Sequence, residues 1–203
     1  MSRYAPAKYS ASASMIVWQL VKMLVSEPPV ECAICAYTGL ITDTGGFRFQ
    51  NSDTNAFKVA AELVSYDINP AGIAAQAFQN RSIPSLKLES LAIERMSLVA
   101  DGQAAISWIS LADLEEHQAT KADTEPLIDM VRSVAGVRVA CMLREQEGSI
   151  RGSLRSKDDT DVSALARKLN GGGHRAAAGF TLFSSLDEAK DIMRAKLADL
   201  VAR

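Results

Sequence analysis

Histidine and cysteine are scarce in this sequence, and long apolar runs are missing. Its 203 residues include two histidines, His117 and His174, and three cysteines, which are too few for a disulfide framework. No apolar stretch approaches the ~20 residues that cross a membrane, and the N-terminal segment MSRYAPAKYS lacks the apolar region of a signal peptide. We therefore expect a cytoplasmic protein with no membrane partner.

A strong net charge is absent as well. The formal net charge is -2, which argues against binding of long nucleic acid through the overall charge of the protein. The charge is uneven, however, because residues 138–175 contain eight basic and five acidic side chains. An anionic ligand would therefore have to be held by a local cluster in this region.

The spacing of apolar residues predicts an α/β protein in three parts. Residues 1–80 are predicted to be helical, and residues 81–100 to form a linker helix. Residues 101–203 alternate between strand and helix patterns, which predicts a small mixed-sheet α/β domain. The sequence therefore favours two domains joined by a linker.

Two local patterns in the first part give specific expectations. Ser10 or Ser12 is placed to cap a helix whose apolar face carries Ile16, Leu20, Met23 and Leu24. Further along, the alternation in 47–49 predicts a short strand.

The most informative segment is Asn170–Gly179, which reads NGGGHRAAAG. Three consecutive glycines are costly in conformational entropy unless the backbone needs unusual angles or a ligand approaches it closely. Successive amides in such a turn can surround an anion, and His174 follows as a further donor. The alternative is that Gly171–Gly173 only terminate a helix and connect it to a strand.

A second cluster lies upstream, in the segment GSLRSK at 152–157. Arg155 offers a planar guanidinium suited to bidentate phosphate binding. Together with the glycine segment it predicts an anion site in the C-terminal part.

The front half has its own candidate at Asp43, where an apolar helix pattern meets the turn sequence DTGG. One interpretation is a turn carboxylate that hydrogen-bonds its own backbone. The other is a metal ligand, because a carboxylate oxygen suits Mn²⁺ or Mg²⁺.

These segments resemble a known family. GSLRSK followed by a helix and GGGHRAAAGF is similar to the DHHA1 domain, and DTGGF is similar to the fourth motif of the DHH phosphoesterases. The resemblance implies that Gly171, Gly172, Gly173, His174 and Arg155 hold the phosphate and terminal nucleotide of the substrate. Ser153 and Ser156 are weaker candidates for the same role.

The resemblance also assigns a role to the front half. It implies that Asp43 is a catalytic metal ligand of a two-metal Mn²⁺ or Mg²⁺ site, in which the ions activate a water. Arg48 would place the substrate or brace the site. Residues 1–80 would then be the C-terminal part of a DHH catalytic domain, and 101–203 the DHHA1 substrate-binding domain.

The first three motifs of the DHH domain, which carry its other metal ligands, have no counterpart in this sequence. We therefore expect a C-terminal fragment with an incomplete metal site, inactive on its own. Apolar surface left exposed where the rest would pack favours self-association into a homodimer.

The function implied for the parent enzyme is metal-dependent hydrolysis of short oligoribonucleotides or dinucleotides, as in oligoribonucleases and RecJ-like exonucleases. A 3′-phosphoadenosine phosphate is another substrate of this kind. One alternative is a non-catalytic nucleotide- or RNA-binding module. Another is an RNA-linked accessory domain like that of some alanyl-tRNA synthetases, against which the DTGGF segment argues.

Overall fold

A computed structural model describes residues 10–202, which divide into two compact units between Asn80 and Arg81. Of the candidate residues named above, all lie within the described range. None of the helices in this range is long and apolar enough to cross a membrane. The α/β prediction is confirmed, because helices precede a mixed sheet that is itself packed against helices.

The N-terminal unit is helical over its described part. Short polar side chains begin three of its helices: Ser12 accepts from the Ser14 amide, Asp53 from that of Ala56 and Asn69 from that of Gly72. The helices are α1 (Ala13–Leu24), α2 (Val30–Asp43), α3 (Thr54–Val64) and α4 (Pro70–Phe78).

The core of this unit is built around Trp18, which is fully buried on α1. Its Nε1 donates to Glu62 Oε1 at 3.0 Å, and its ring meets Tyr66 edge to face at 5.1 Å between centroids. The apolar face predicted for α1 points outward instead. Four of its residues are more than half exposed, namely Ile16, Leu20, Met23 and Leu24.

The short strand predicted at 47–49 is wrong. After α2 the chain coils around Thr44, whose carbonyl accepts from the amides of Arg48 and Phe49 and whose hydroxyl accepts from the Phe47 amide. Phe47 has φ of 63°, which a strand does not permit, and its ring stacks on Phe57 at 4.8 Å. The side-chain alternation therefore reflects packing in a series of turns.

The C-terminal unit contains a six-stranded sheet in its described part. Its strands are β1 (Ser97–Val99), β2 (Ala104–Ile109), β3 (Val139–Gln146), β4 (Ser149–Ser156), β5 (Gly172–His174) and β6 (Ala177–Leu182). Its helices are α5 (Ile83–Glu94), α6 (Leu111–Glu116), α7 (Leu127–Ser133), α8 (Val162–Lys168) and α9 (Leu186–Val201), with a 3-10 helix at Lys121–Thr124.

The strands lie in the order β1-β2-β3-β4-β6-β5. The β2–β3 pair is parallel and the others are antiparallel, so the sheet is mixed as predicted. The two three-residue edge strands, β1 and β5, were not expected from the sequence. Both are too short to show a clear alternation.

The two faces of the sheet are covered unequally. On one face α8 and α9 pack over an apolar layer that includes Cys141, Leu154 and Phe180. On the other face α5 and α7 cover β2 and β3 through residues such as Ala105 and Met142. Because α7 also contacts β4, this second face is partly covered there and remains open over β6 and β5.

The helix predicted as a linker belongs to the C-terminal unit in the structure. Leu88 and Ala92 of α5 are fully buried in the layer formed with α7 and β2. Ser85 of the same helix donates to the Asp123 carbonyl at 2.9 Å. Residues 81–100 thus form part of this unit's core.

Candidate functional site

A cleft of about 420 Å³ lies over the uncovered part of the sheet in the C-terminal unit. Strands β3, β4, β5 and β6 supply its floor, and the 3-10 helix and α6 contribute to one wall. Its polar lining consists of Lys121, Thr124, Glu125, Arg144, Glu145, Gln146, Arg151, Ser153 and Arg155. The volume is in the usual range for a small-molecule site.

The register of the sheet explains how distant sequence segments meet on this floor. Ala177 pairs with Arg155 on one side and with His174 on the other. Gly179 likewise pairs with Ser153 and with Gly172. Directly paired residues share a sheet face, so the arginine segment and the glycine segment contribute to one surface. The middle of that surface carries only glycine and alanine.

The three glycines of 171–173 differ in what the fold requires of them. A Cβ on Gly171 would stand 2.1 Å from the Gly179 carbonyl oxygen, and one on Gly173 would stand 2.5 Å from that of Ala177. Gly173 also has φ of +141°. These two positions are glycine for reasons of packing and backbone conformation. A Cβ on Gly172 would meet nothing within 4 Å, and Gly172 lines the cleft. The fold therefore gives no steric reason for a glycine there.

Arg155 is largely buried in the cleft wall. Within residues 10–202 its guanidinium forms no ion pair, and its hydrogen bond goes to the Leu154 carbonyl at 3.1 Å. Burial lowers the pKa of this guanidinium more than any other influence. The nearby charge of Asp129 opposes this shift, and the charges of Arg132 and Arg144 add to it. A partly desolvated cation that forms no ion pair is unfavourable in the free protein, and an anionic ligand would relieve this cost.

Arg144 is a cleft residue that sequence reasoning missed. Its side chain is 12% exposed, pairs with Glu125 at 2.8 Å and donates to the Ser153 hydroxyl. Its Nε is buried and has no hydrogen-bond partner in the described chain. Ser153, a weaker candidate from the sequence, is thus held in the cleft by Arg144.

Arg151 was missed as well. It pairs with Arg144 across β3 and β4, and its guanidinium lies over Gly179. Its hydrogen bond within residues 10–202 is a long one of 3.4 Å to the Thr181 hydroxyl. The cleft lining therefore has four cationic side chains and two carboxylates, one of which pairs with Arg144. Only the register shared by β3 and β4 could have revealed this clustering.

The other predicted substrate residues are placed differently. His174 is exposed in the same row of the sheet as Arg155, at the rim next to Ala177, and it does not itself line the cleft. Within the described residues its ring has no hydrogen bond. Ser156 does not line the cleft, because it follows Arg155 in β4 and therefore points to the opposite face. It is buried, and its hydroxyl donates to the Asp158 carbonyl at 3.3 Å.

Asp43 is the last residue of α2, and its carboxylate is exposed. A negative charge is unfavourable at a helix C-terminus, and this last turn contains no basic residue. Arg48, at the following turn, donates to the Gly45 carbonyl at 2.5 Å and lies over the Phe78 ring. Arg48 thus braces the turn next to Asp43.

The described residues do not fit a complete metal site. Between residues 10 and 202 there is no cluster of three or more histidine, cysteine, aspartate or glutamate side chains that could hold an ion. Asp43 could supply one carboxylate ligand, and a catalytic two-metal site needs several.

The fold and the cleft define an α/β module with a predominantly basic cleft over one face of its sheet. Residues 101–200 match the family model described as the DHHA1 domain. The chain is 32% identical over 180 residues to the bifunctional oligoribonuclease and PAP phosphatase NrnA of Thermus thermophilus, covering 88% of this chain and 54% of that protein. It is also 32% identical over 164 residues to the protein of the same name in Bacillus subtilis, covering 81% and 50%.

A solved structure extends the likeness over both units. An exopolyphosphatase-related protein from Bacteroides fragilis matches with a TM-score of 0.86 and 28% identity, over 95% of this chain and 58% of that one. The chain spans about half the length of the curated relatives named above. The chain belongs to the DHH/DHHA1 superfamily.

Proposed function

We propose that the cleft of the C-terminal unit binds the phosphate and terminal nucleotide of a short oligoribonucleotide or dinucleotide. The chain would serve as the substrate-binding part of a metal-dependent phosphodiesterase. The observation that carries this proposal is that one cleft contains both a largely buried Arg155, which forms no ion pair among the described residues, and Gly172, whose lack of a side chain the fold does not require. Two oxygens of a phosphate group can accept from the Arg155 guanidinium. The missing side chain of Gly172 lets a ligand approach the backbone closely.

The other residues of the cleft fit this role. Arg151 makes one weak contact in the described chain and can turn toward a second phosphate oxygen or a sugar hydroxyl. His174 stands at the rim with both ring nitrogens available for hydrogen bonding. The limited volume and the modest net charge favour a short ligand over a long strand. The relatives' names, oligoribonuclease and PAP phosphatase, point to ligands of this size.

Hydrolysis is not expected from the described residues alone. Asp43 would contribute one ligand to Mn²⁺ or Mg²⁺, and residues 10–202 provide no further cluster. This observation favours nucleotide binding without turnover as the activity of the chain by itself.

The test measures binding of a fluorescently labelled diribonucleotide with a terminal phosphate, with and without Mn²⁺. Arg155→Ala should weaken binding roughly tenfold or more, because hydrogen bonds to a charged group contribute about 1.5–3 kcal/mol. Arg167→Ala is the matched control, since Arg167 is an exposed arginine of α8 that does not line the cleft.

Two outcomes would contradict the proposal. If wild type and Arg155→Ala bind the diribonucleotide equally well, the cleft is not the binding site. Mn²⁺-dependent cleavage that requires Asp43 would show that this chain assembles a working metal site.

A further inference from the structure

A second hollow of about 300 Å³ adjoins the cleft at the β3–β4 hairpin. Glu145 and Gln146 border both spaces, so the two lie side by side. The remaining lining of the second hollow comes from Gly148, Ser149, Ile150, Phe183 and Ser184. This second hollow lies outside the phosphate site proposed above.

Phe183 lines this second hollow and is 88% exposed. It directly follows β6, whose last residue, Leu182, packs against the core. The fold therefore places an aromatic ring in solvent next to a binding cleft without any packing partner to justify it. Single exposed apolar residues are common, so the ring alone does not define a site.

Gln146 provides the second, independent observation. It is half-buried on the border between the two spaces, and its side-chain amide makes no hydrogen bond to any residue from 10 to 202. An amide offers both donors and an acceptor. Neighbouring Glu145 is fixed, because it accepts from the Leu111 amide at 3.0 Å. A free amide beside a free aromatic face suits a flat ligand with polar edges.

We propose that Phe183 and Gln146 form a nucleobase subsite for the nucleotide next to the one held at Arg155. The base stacks on the Phe183 ring, and its edge hydrogen-bonds to the Gln146 amide. Stacking on an aromatic side chain accepts every base, and the amide adds a preference among them. This inference rests on the proposed function, because it extends the same cleft.

The spacing along β6 supports a ligand of more than one nucleotide. Phe183 lies six residues after Ala177, which pairs with Arg155, and two residues after Thr181, which pairs with Arg151. At about 3.3 Å per residue in a strand, the Phe183 backbone is roughly 20 Å from the Arg155 row and roughly 7 Å from the Arg151 row. A mononucleotide held at Arg155 therefore leaves Phe183 free, whereas an extended dinucleotide that passes Arg151 can bring its second base to the ring.

The experiment compares the affinity of a ribonucleoside monophosphate with that of a diribonucleotide carrying 2-aminopurine at the second position. Phe183→Ala should weaken dinucleotide binding about tenfold and leave monophosphate binding unchanged. Quenching of 2-aminopurine fluorescence on binding should be lost in Phe183→Ala and restored in Phe183→Trp. Leu98→Ala is the control, because Leu98 is another exposed apolar residue, on the opposite edge of the sheet.

The outcomes separate the two proposals. If the wild type binds the monophosphate and Phe183→Ala binds the dinucleotide as tightly as the wild type, the subsite is wrong and the Arg155 site stands. If Phe183→Ala weakens both ligands equally, Phe183 has a structural role and the subsite is also wrong. If the wild type binds neither ligand, the proposed function fails, and the subsite fails with it.

Discussion

Arg155 and His174 lie in one row of the sheet on either side of Ala177, which pairs with both of them. Neighbouring strands are about 4.8 Å apart, so the two backbones are roughly 10 Å from each other. Ala177, which lies between them, has only a methyl group as its side chain. This arrangement leaves a gap on this face of the sheet, lined by the Ala177 methyl group, between the backbones of Arg155 and His174.

Filling this gap should abolish binding without unfolding the protein. Ala177→Val adds two methyl groups between Arg155 and His174, and a β-branched residue is favoured in a strand. We expect nucleotide affinity to fall at least tenfold while the unfolding midpoint in urea changes little, which titration and denaturation would measure. Ala176→Val, at the exposed hairpin turn, is the control and should bind normally. Normal binding by Ala177→Val would show that the ligand lies elsewhere.

The three glycines should respond differently to alanine. Gly171→Ala and Gly173→Ala force a Cβ against a carbonyl oxygen, so each should lower the free energy of unfolding by about 1–3 kcal/mol. Gly172→Ala meets no protein atom and should stay within roughly 0.5 kcal/mol of wild type. Its nucleotide affinity should nevertheless drop about tenfold, because the new methyl group occupies the ligand's approach to the backbone. Urea denaturation and binding titration on all three variants check this, and unimpaired binding by Gly172→Ala would contradict it.

Much of the fold follows from local sequence signals. Ser12, Asp53 and Asn69 begin helices because short polar side chains satisfy free amides at these positions. Local signals do not say which side of an amphipathic helix is buried. On α1 the buried side is that of Met15 and Trp18, because Trp18 finds a hydrogen-bond partner in Glu62 of another helix.

The site was predictable only where its residues share one short segment. Arg155 and the glycines stand in segments that carry a family resemblance. Ser156 looks equivalent to Arg155 in the sequence, but adjacent residues of a strand face opposite ways. Arg144 and Arg151 come together through the β3–β4 register, and no sequence spacing encodes their proximity to Gly172.

Arg155 should reduce the stability of the free protein. Its burial without an ion pair is unfavourable, and the nearby charge of Asp129 offsets this only in part, so Arg155→Met should keep or raise the free energy of unfolding by about 1 kcal/mol while abolishing binding. Urea denaturation would measure the difference. Arg138→Met is the matched control, because Arg138 pairs with Asp158 at 2.5 Å and bonds Gln103 at 2.9 Å, and its loss should destabilise the protein. A clear loss of stability in Arg155→Met would mean that Arg155 has a structural partner.

The ion pair of Arg95 and Asp113 should give the C-terminal unit a stability that depends on acid pH. The Asp113 side chain is 7% exposed and accepts from Arg95 at 2.5 and 2.8 Å. Burial by itself would raise the pKa of Asp113, but hydrogen bonds from Arg95 and Ser110 outweigh it and lower this pKa from 3.8 to about 2. The group therefore binds a proton less readily in the folded than in the unfolded state.

The sign of the effect follows from that difference. The stabilisation is fully present above pH 3.8, the unfolded value, and is lost as the pH falls through the folded value of about 2. Asp113→Asn should lower the free energy of unfolding by roughly 2 kcal/mol at neutral pH. This difference between variant and wild type should become smaller as the pH falls from 3.8 to about 2. Urea denaturation from pH 7 to pH 2 would record it. Leu98→Ala, which replaces an exposed side chain that does not titrate, is the control and should differ from wild type by the same amount at every pH. If the free energies of unfolding of Asp113→Asn and wild type differ by the same amount from pH 7 to pH 2, Asp113 acts through packing and hydrogen bonding, and its charge contributes nothing.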